Sequence, residues 1–528
     1  MGNAEFRHFT LQDLEPKQIA EFLQKWHDLA LEKDPDKELL QKRLQDAIAN
    51  SKAIAELAGN PLLLTMMAIL NRRQELPRNR AELYKEASKV LLYAWDVDHK
   101  KLQISPDAIE SPEKQAMLRQ IAYEMQSGEK GIQGNIISRD KLLEIITKFL
   151  KDRDFSQPRE KAQILINQLR ERNFILCYLG DEYYGFVHRT FLEYFCAWEF
   201  VEKFEKQRIL TEEELKTEAF GKHWQDESWH EVLRLVCGML AEKVAGEMIE
   251  YLMSEKDEFK FGNLILAAEC LVEVRNISTI KSTAALLLDA LKNATQKVRE
   301  NDSETAKKII QAIATTWKND PQTLPLLQSW VQSDPDWTVR RTAVNAIASN
   351  YKEDAQILPL LQSWVQSDPD WTVRNAAVIA IAQYYQEDPQ TLPLLQSWVQ
   401  SDPNSDVRRA AVDAIAQYYQ EDPQTLPLLQ SCAQSDANSQ VRYATVSVIF
   451  LCWSKEPGMF EFVYKCAIND PFEREFDLQD NPRQAALEAI LEHHRDNPLT
   501  LELLRDRYEN DTDEELRKFA KEELQKRS

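Results

Sequence analysis

Glycine is scarce in this 528-residue chain, with only 12 residues in all. Strand- and loop-rich folds draw on glycine at turns and bulges, so this shortage points to a mainly α protein. Cysteine is sparse and odd in number. Cys177, Cys196, Cys237, Cys270, Cys432, Cys452 and Cys466 are scattered, mostly inside apolar helical runs, without a Cys-x-x-Cys or Cys/His cluster. That excludes a disulfide scaffold and a zinc module, and reads as reduced thiols in a cytoplasmic protein. The eight histidines form no ligand-spaced set, so no metal is expected. Apolar runs stop short of the roughly 20 residues that span a bilayer. The N-terminus has no apolar signal core, and Phe6 stands where a myristoylation motif needs Ser or Thr. Positive charge is also in deficit: 65 Lys and Arg against 86 Asp and Glu leave a net charge of -21. Such a field argues against nucleic acid and against an anionic membrane as partner.

What is abundant is a repeat. Asp-Pro-Gln-Thr-Leu-Pro-Leu-Leu-Gln-Ser-Trp-Val-Gln begins at Asp320 and returns three times, little changed. Trp330, Trp364 and Trp398 are each 34 residues apart, and Cys432 takes the next slot. A helical unit this short cannot bury its own apolar face, so copies must stack. Stacking makes an extended surface suited to a large partner rather than a catalytic pocket.

Each unit reads as two helices. Asp320 is placed to cap the first, with Pro321 at the first helical position, and Ser333-Asp334-Pro335 repeats that start signal. Val339, Ala343 and Ile347 mark the buried stripe of the second helix. Asp and Arg recur six residues apart as Asp334/Arg340, Asp368/Arg374, Asp402/Arg408 and Asp436/Arg442. They suit a ladder of charge-assisted bonds along the stack. These pairs resemble the HEAT repeat family, whose units carry an Asp and an Arg in that relation. Ala306 replaces the Arg upstream, while Arg483 and Arg517 restore it after a longer unit. Trp337 and Trp371 fall at the inter-helix turn, where Ser405 and Ser439 stand in the next two units. They are the candidates for contact with a protein partner, against the plainer alternative of packing on the adjacent turn.

The N-terminal half is read as helices over 16–75, including a Gly59-Asn60-Pro61 turn that feeds a very apolar helix. Helices around 80–96, 111–127, 141–151 and 159–170 precede two alternating segments, 173–179 and 183–188, about a Gly180-Asp181 turn. A Phe-rich helix follows over 189–204. Helices followed by one β-hairpin make the pattern of a winged helix.

Three ordered motifs carry a further resemblance: Phe6-Arg7-His8-Phe9-Thr10-Leu11-Gln12-Asp13-Leu14, then Leu57–Thr65, then Phe186-Val187-His188-Arg189-Thr190-Phe191-Leu192-Glu193-Tyr194-Phe195. Together with His223–Leu233 they resemble the part of a bacterial NACHT-type STAND NTPase that follows its nucleotide-binding core. The similarity covers about residues 5–275. It implies a helical domain over 1–75, a winged helix over 76–205 and a helical linker over 206–300, and the repeats are expected to form a HEAT-like α–α superhelix over 301–528, with the period clearest at 320–450. It also implies that Pro61, with Gly59 and Asn60, lies on the adenine side of a bound nucleotide and that His188 senses its phosphate.

No Gly-x-x-x-x-Gly-Lys-[Ser/Thr] occurs in the sequence, so no backbone nest cradles phosphates and no lysine meets their oxygens. The family's P-loop and Mg²⁺-binding strands are expected upstream of this chain. ATP hydrolysis by this polypeptide is therefore not expected, and contact with ADP or ATP is expected to be weak and to need a separate P-loop core. The Glu212–Glu214 and Asp513–Glu515 clusters read as solvated faces rather than acid/base pairs. No catalytic residue is proposed. The function expected is a regulatory, ligand-sensing module that binds a protein on its repeats, in signal transduction or antiviral defence, with an NTPase core in trans. The alternative is a stand-alone HEAT scaffold for protein complexes.

Overall fold

The computed structural model describes residues 13–77, 79–92, 109, 111–128, 135–171, 175–257, 260–298, 303–476 and 479–526. Of the first of the three ordered motifs, Phe6–Gln12 lies outside the described residues, and so do 93–96 of the helix expected around 80–96. Twenty-seven α-helices and one small sheet are found among the described residues, and helix accounts for 74% of those residues. They form two compact units divided between Asn293 and Ala294.

In the first unit, Pro61 is the first residue of helix Pro61–Asn71, where its missing N–H costs nothing. The Asn60 side chain caps that helix, its Oδ1 accepting the N–H groups of Leu62 and Leu63 at 2.9 and 3.2 Å. The winged helix has three strands rather than the single hairpin expected: β1 (Ile137–Ser138), β2 (Leu176–Gly180) and β3 (Tyr183–Phe186), in the order β1-β3-β2, all antiparallel. Two residues are too few to show a period-two pattern, which is why β1 is not legible in sequence. Helices Arg139–Lys151 and Pro158–Glu171 lie between β1 and β2. The Phe-rich helix Arg189–Val201 is the centre of the unit, with Phe191, Tyr194 and Phe195 almost wholly buried. Helices Ser111–Ser127 and Glu227–Met239 both pack against it.

In the second unit the repeats resolve as helix pairs: Thr323–Ser333 with Trp337–Tyr351, Ile357–Ser367 with Trp371–Tyr384, Thr391–Ser401 with Ser405–Tyr418, and Thr425–Ser435 with Ser439–Trp453. The helix starts differ from the sequence reading. Asp320 does not cap the first helix. It closes a preceding turn by accepting the Gln322 N–H at 2.8 Å, and the helix begins at Thr323. Pro325 is then the third helical residue, still within the turn whose N–H groups have no intrahelical acceptor. The second helix is capped by Asp336, not Asp334; Asp336 accepts the Thr338 N–H at 2.8 Å. Val339, Ala343 and Ile347 are fully buried, and each second helix packs on the next. The small residues Ala343, Ala377 and Ala411 permit that close approach.

Asp513 also departs from expectation. It is buried rather than solvated, held by Arg474 through two bonds of 2.8 Å and by Asn481 at 2.7 Å.

Candidate functional site

Two places hold the residues that the sequence singles out. The first joins a turn and a strand end 128 residues apart. His188 leaves β3 in extended conformation and is the N-cap of Arg189–Val201. Its Nε2 lies 2.5 Å from Asn60 Nδ2. Since Asn60 Oδ1 is committed to capping its own helix, the amide presents its NH₂ to the ring, and an amide nitrogen only donates. His188 Nε2 therefore accepts, and the ring proton sits on Nδ1, donating to Thr190 Oγ1 at 3.0 Å. Thr190 N–H, 3.3 Å from Nδ1, competes for that same nitrogen and is left unserved by this tautomer.

Burial of the ring lowers the His188 pKa below its ordinary 6.5, and the charge of Asp13 acts in the opposite direction. Asp13 lies beside the same turn. The Leu14 N–H donates to Gly59 O at 2.8 Å, and a β-carbon added at Gly59 would meet Asp13 Cβ at 3.1 Å. A larger residue at 59 would thus push Asp13 away. Gly59, Asn60, Pro61, Asp13 and His188 form one cluster. Pro61 sets the start of the helix that Asn60 caps.

A neutral Nε2 lone pair cannot donate to a phosphate oxygen. A phosphate reaches this atom only if Asn60 moves away and the ring either switches tautomer or takes up a proton.

Beyond this cluster lies an ion network that sequence reasoning missed. Arg80 Nη1 donates to Glu273 at 2.8 Å and Arg80 Nη2 to Glu231, while Arg234 lies 3.4 Å from Glu273. Glu193, on the Phe-rich helix, bonds Arg189 at 2.8 Å and is 7% exposed. Burial first, and repulsion from Glu231 second, raise its pKa to about 7. Partners 151 and 193 residues from Arg80 leave no local signal. A cavity of about 180 Å³ on the same unit is lined by Glu82, Lys85, Tyr194, Trp198 and Arg275, among others, and by none of the His188 cluster.

The second place is the repeat array. Its Asp and Arg residues do form a ladder, but the rungs run between repeats. Arg340 donates through Nε and Nη2 to both carboxylate oxygens of Asp368, at 2.9 and 3.0 Å, and through Nη1 to the Asp334 carbonyl at 3.0 Å. Arg374 takes Asp402 in the same way at 3.2 and 3.3 Å, Arg408 takes Asp436 at 2.8 and 2.7 Å, and Arg442 takes Asp470 at 2.7 and 2.9 Å. The partner in the six-residue pair supplies its backbone carbonyl; the carboxylate comes from the following repeat. Asp470 and Asp511, the latter held by Arg483 at 3.0 and 2.8 Å, were not anticipated. For Asp470 the signal was present in Asn469-Asp470-Pro471, which copies the earlier start sequence.

Trp337 and Trp371 are the first residues of their helices and are 39% and 40% exposed. Arg341 lies over the Trp337 ring, 5.2 Å from its centre.

Comparison with known proteins follows this division. Residues 80–200 match the family described as the winged helix-turn-helix domain C-terminal to NACHT. Residues 288–382 and 358–449 match HEAT repeats. No curated protein matches the chain. Among solved structures, the crystal structures of Kap121p and of a Kap121p mutant are similar at 12% identity and a TM-score of 0.35, covering 87% of this chain and 48% of theirs. The chain thus spans about half the length of those proteins. A winged helix of the type that follows NACHT, then HEAT repeats, is the organisation of this molecule.

Proposed function

We propose that this NACHT-associated helical module with its HEAT array is the regulatory and ligand-sensing part of a signalling NTPase. It acts by binding a protein partner and performs no hydrolysis of its own. The observation that carries the reading is the contact between Asn60 and His188. It brings the nucleotide-facing turn and the phosphate-sensing histidine, both named from the resemblance, to one point. In this reading the Asn60–His188 bond is the state without nucleotide. A nucleotide held by a P-loop core in trans replaces Asn60 with a phosphate oxygen, and the helical turn is released from the winged helix.

The test is binding of fluorescent ADP to the full chain, alone and mixed with a NACHT core polypeptide, for the native protein and His188→Ala. Weak binding alone, strengthened by the core and lost in His188→Ala, is expected. Binding indifferent to His188 would sink the nucleotide-sensing role. The array would then be a scaffold that assembles protein complexes without nucleotide.

A further inference from the structure

The first turn of the Phe-rich helix holds a conflict over one nitrogen. With the ring proton on Nδ1, His188 donates to Thr190 Oγ1 at 3.0 Å, and the Thr190 N–H, 3.3 Å from the same nitrogen, goes without an acceptor. With the proton on Nε2 instead, Nδ1 carries a lone pair. The Thr190 N–H then caps onto it, which satisfies one of the orphan donors that every helix start leaves. The Thr190 hydroxyl suits both cases, because it accepts from an N–H and, once rotated, donates to a bare nitrogen.

Asn60 suits only the first case. Its amide nitrogen donates to Nε2, and its Oδ1 is committed to the N–H groups of Leu62 and Leu63. Asn60 and an incoming phosphate oxygen therefore ask opposite things of Nε2: a lone pair for the one, a proton for the other. The tautomer of a histidine is set by the bond its other nitrogen makes, and on this ring that bond goes to Thr190. A protonated ring would also meet a phosphate, but it keeps Nδ1–H on Thr190 and leaves the Thr190 N–H unserved as before. Burial of the half-buried ring works against that route, with Asp13 opposing.

We propose that Thr190 is the pivot of a tautomer switch at His188. In the free chain its hydroxyl accepts from Nδ1–H, which keeps Nε2 bare for Asn60. When a phosphate oxygen takes the place of Asn60, the N–H and hydroxyl of Thr190 serve a bare Nδ1, and the proton stands on Nε2 for donation to the phosphate. The ring gives its Nδ1 proton to water and takes one at Nε2, so its charge is the same before and after. Thr190 acts through the ring and is a positioning residue. This rests on the reading of His188 as the phosphate sensor.

Ring nitrogen NMR of the full chain, labelled with nitrogen-15 in its histidines and held at about pH 8, above the ordinary histidine pKa, tests this. The His188 signals are assigned by their loss in His188→Ala. The free native chain is expected to show a bare Nε2 and a protonated Nδ1. Thr190→Val takes the acceptor from Nδ1 and keeps the backbone N–H, so the ring is expected to turn to Nε2–H without nucleotide. Thr190→Ala removes the same hydroxyl without adding bulk and is expected to do likewise, while Thr190→Ser keeps the native tautomer. The native chain loaded with ADP and a NACHT core polypeptide is expected to show Nε2–H. Fluorescent ADP, in the presence of that core, is expected to bind Thr190→Val about fivefold tighter, one hydrogen bond's worth, because the Asn60 contact is already lost. Unchanged melting of the variants shows that the fold is kept. A free native ring already protonated at Nε2, a ring that keeps Nδ1–H in both Thr190→Val and Thr190→Ala, or a doubly protonated ring in the loaded complex overturns the pivot and leaves the sensing role of His188 standing. A ring that switches as expected, with ADP binding indifferent to both Thr190→Val and His188→Ala, removes the sensing role and the pivot with it.

Discussion

At the scale of single residues, two titrating groups of the first unit pull stability in opposite directions. His188 has a lowered pKa, so the folded state holds fewer protons than the unfolded chain as pH falls through 6.5. Stability contributed by the neutral ring is complete above 6.5 and declines below it. Glu193 has a raised pKa of about 7 against an ordinary 4.5. Its protonated form fits the buried site, so its contribution is complete below 4.5 and is lost as pH rises to about 7. Glu193→Gln is therefore expected to raise the melting temperature at pH 8 and to leave it nearly unchanged at pH 4, measured by circular dichroism. An NMR titration of the His188 ring is expected to show a midpoint below 6.5. A midpoint above it would remove the lone-pair contact with Asn60. His188 and Asn60 could be named from sequence because each sits in a recognisable local motif. Glu193 sits in one too, but its environment is built by Arg80 and Glu231 from distant helices, and no local pattern encodes that.

At the scale of elements, the rungs and one glycine decide what holds. Arg374→Ala leaves Asp402, 5% exposed in its side chain, without its two guanidinium bonds. Orphaning a carboxylate so deeply placed costs about 3 kcal/mol. Removing both, as Arg374→Ala with Asp402→Ala, is expected to cost less than Arg374→Ala alone, read by urea denaturation. A double variant worse than the single one would show that Asp402 has work apart from the rung. In the winged helix, a β-carbon at Gly185 would press into the carbonyl of Asn135, whose side chain bonds the Phe186 backbone. Gly185→Ala is expected to separate β1 from β3 and to lower the melting temperature of the first unit. An unchanged melt would mean that the 135–138 segment yields easily. The pairing of Arg with an Asp 28 residues ahead, rather than six behind, was hidden because both spacings recur identically in a 34-residue period. Periodicity gives the members of a ladder without saying which rung joins which.

At the scale of the whole molecule, sequence was most informative where one unit is copied and least where distant segments meet once. The array follows from counting: a repeat too short to bury itself must stack, and its alanines must be where helices touch. The winged helix followed from an order of elements, yet its first strand and its buried ion network came only from the structure. Because stability in an array is a sum over neighbours, damage at one rung is expected to spread by adjacency. Hydrogen exchange in Arg374→Ala should accelerate first in the helices on either side of that rung, then outward. Uniform acceleration across the whole array would indicate one cooperative block instead.

The ladder also bears on how such an array changes length over generations. Arg340, Arg374 and Arg408 each meet an Asp that opens the same kind of turn, so any of these repeats can follow any other. Duplication or loss of a whole 34-residue unit by recombination between near-identical stretches would leave every joint made. Loss of part of a unit would strand both an arginine and an aspartate. Inheritance can thus lengthen or shorten this surface in whole steps while its joints stay the same.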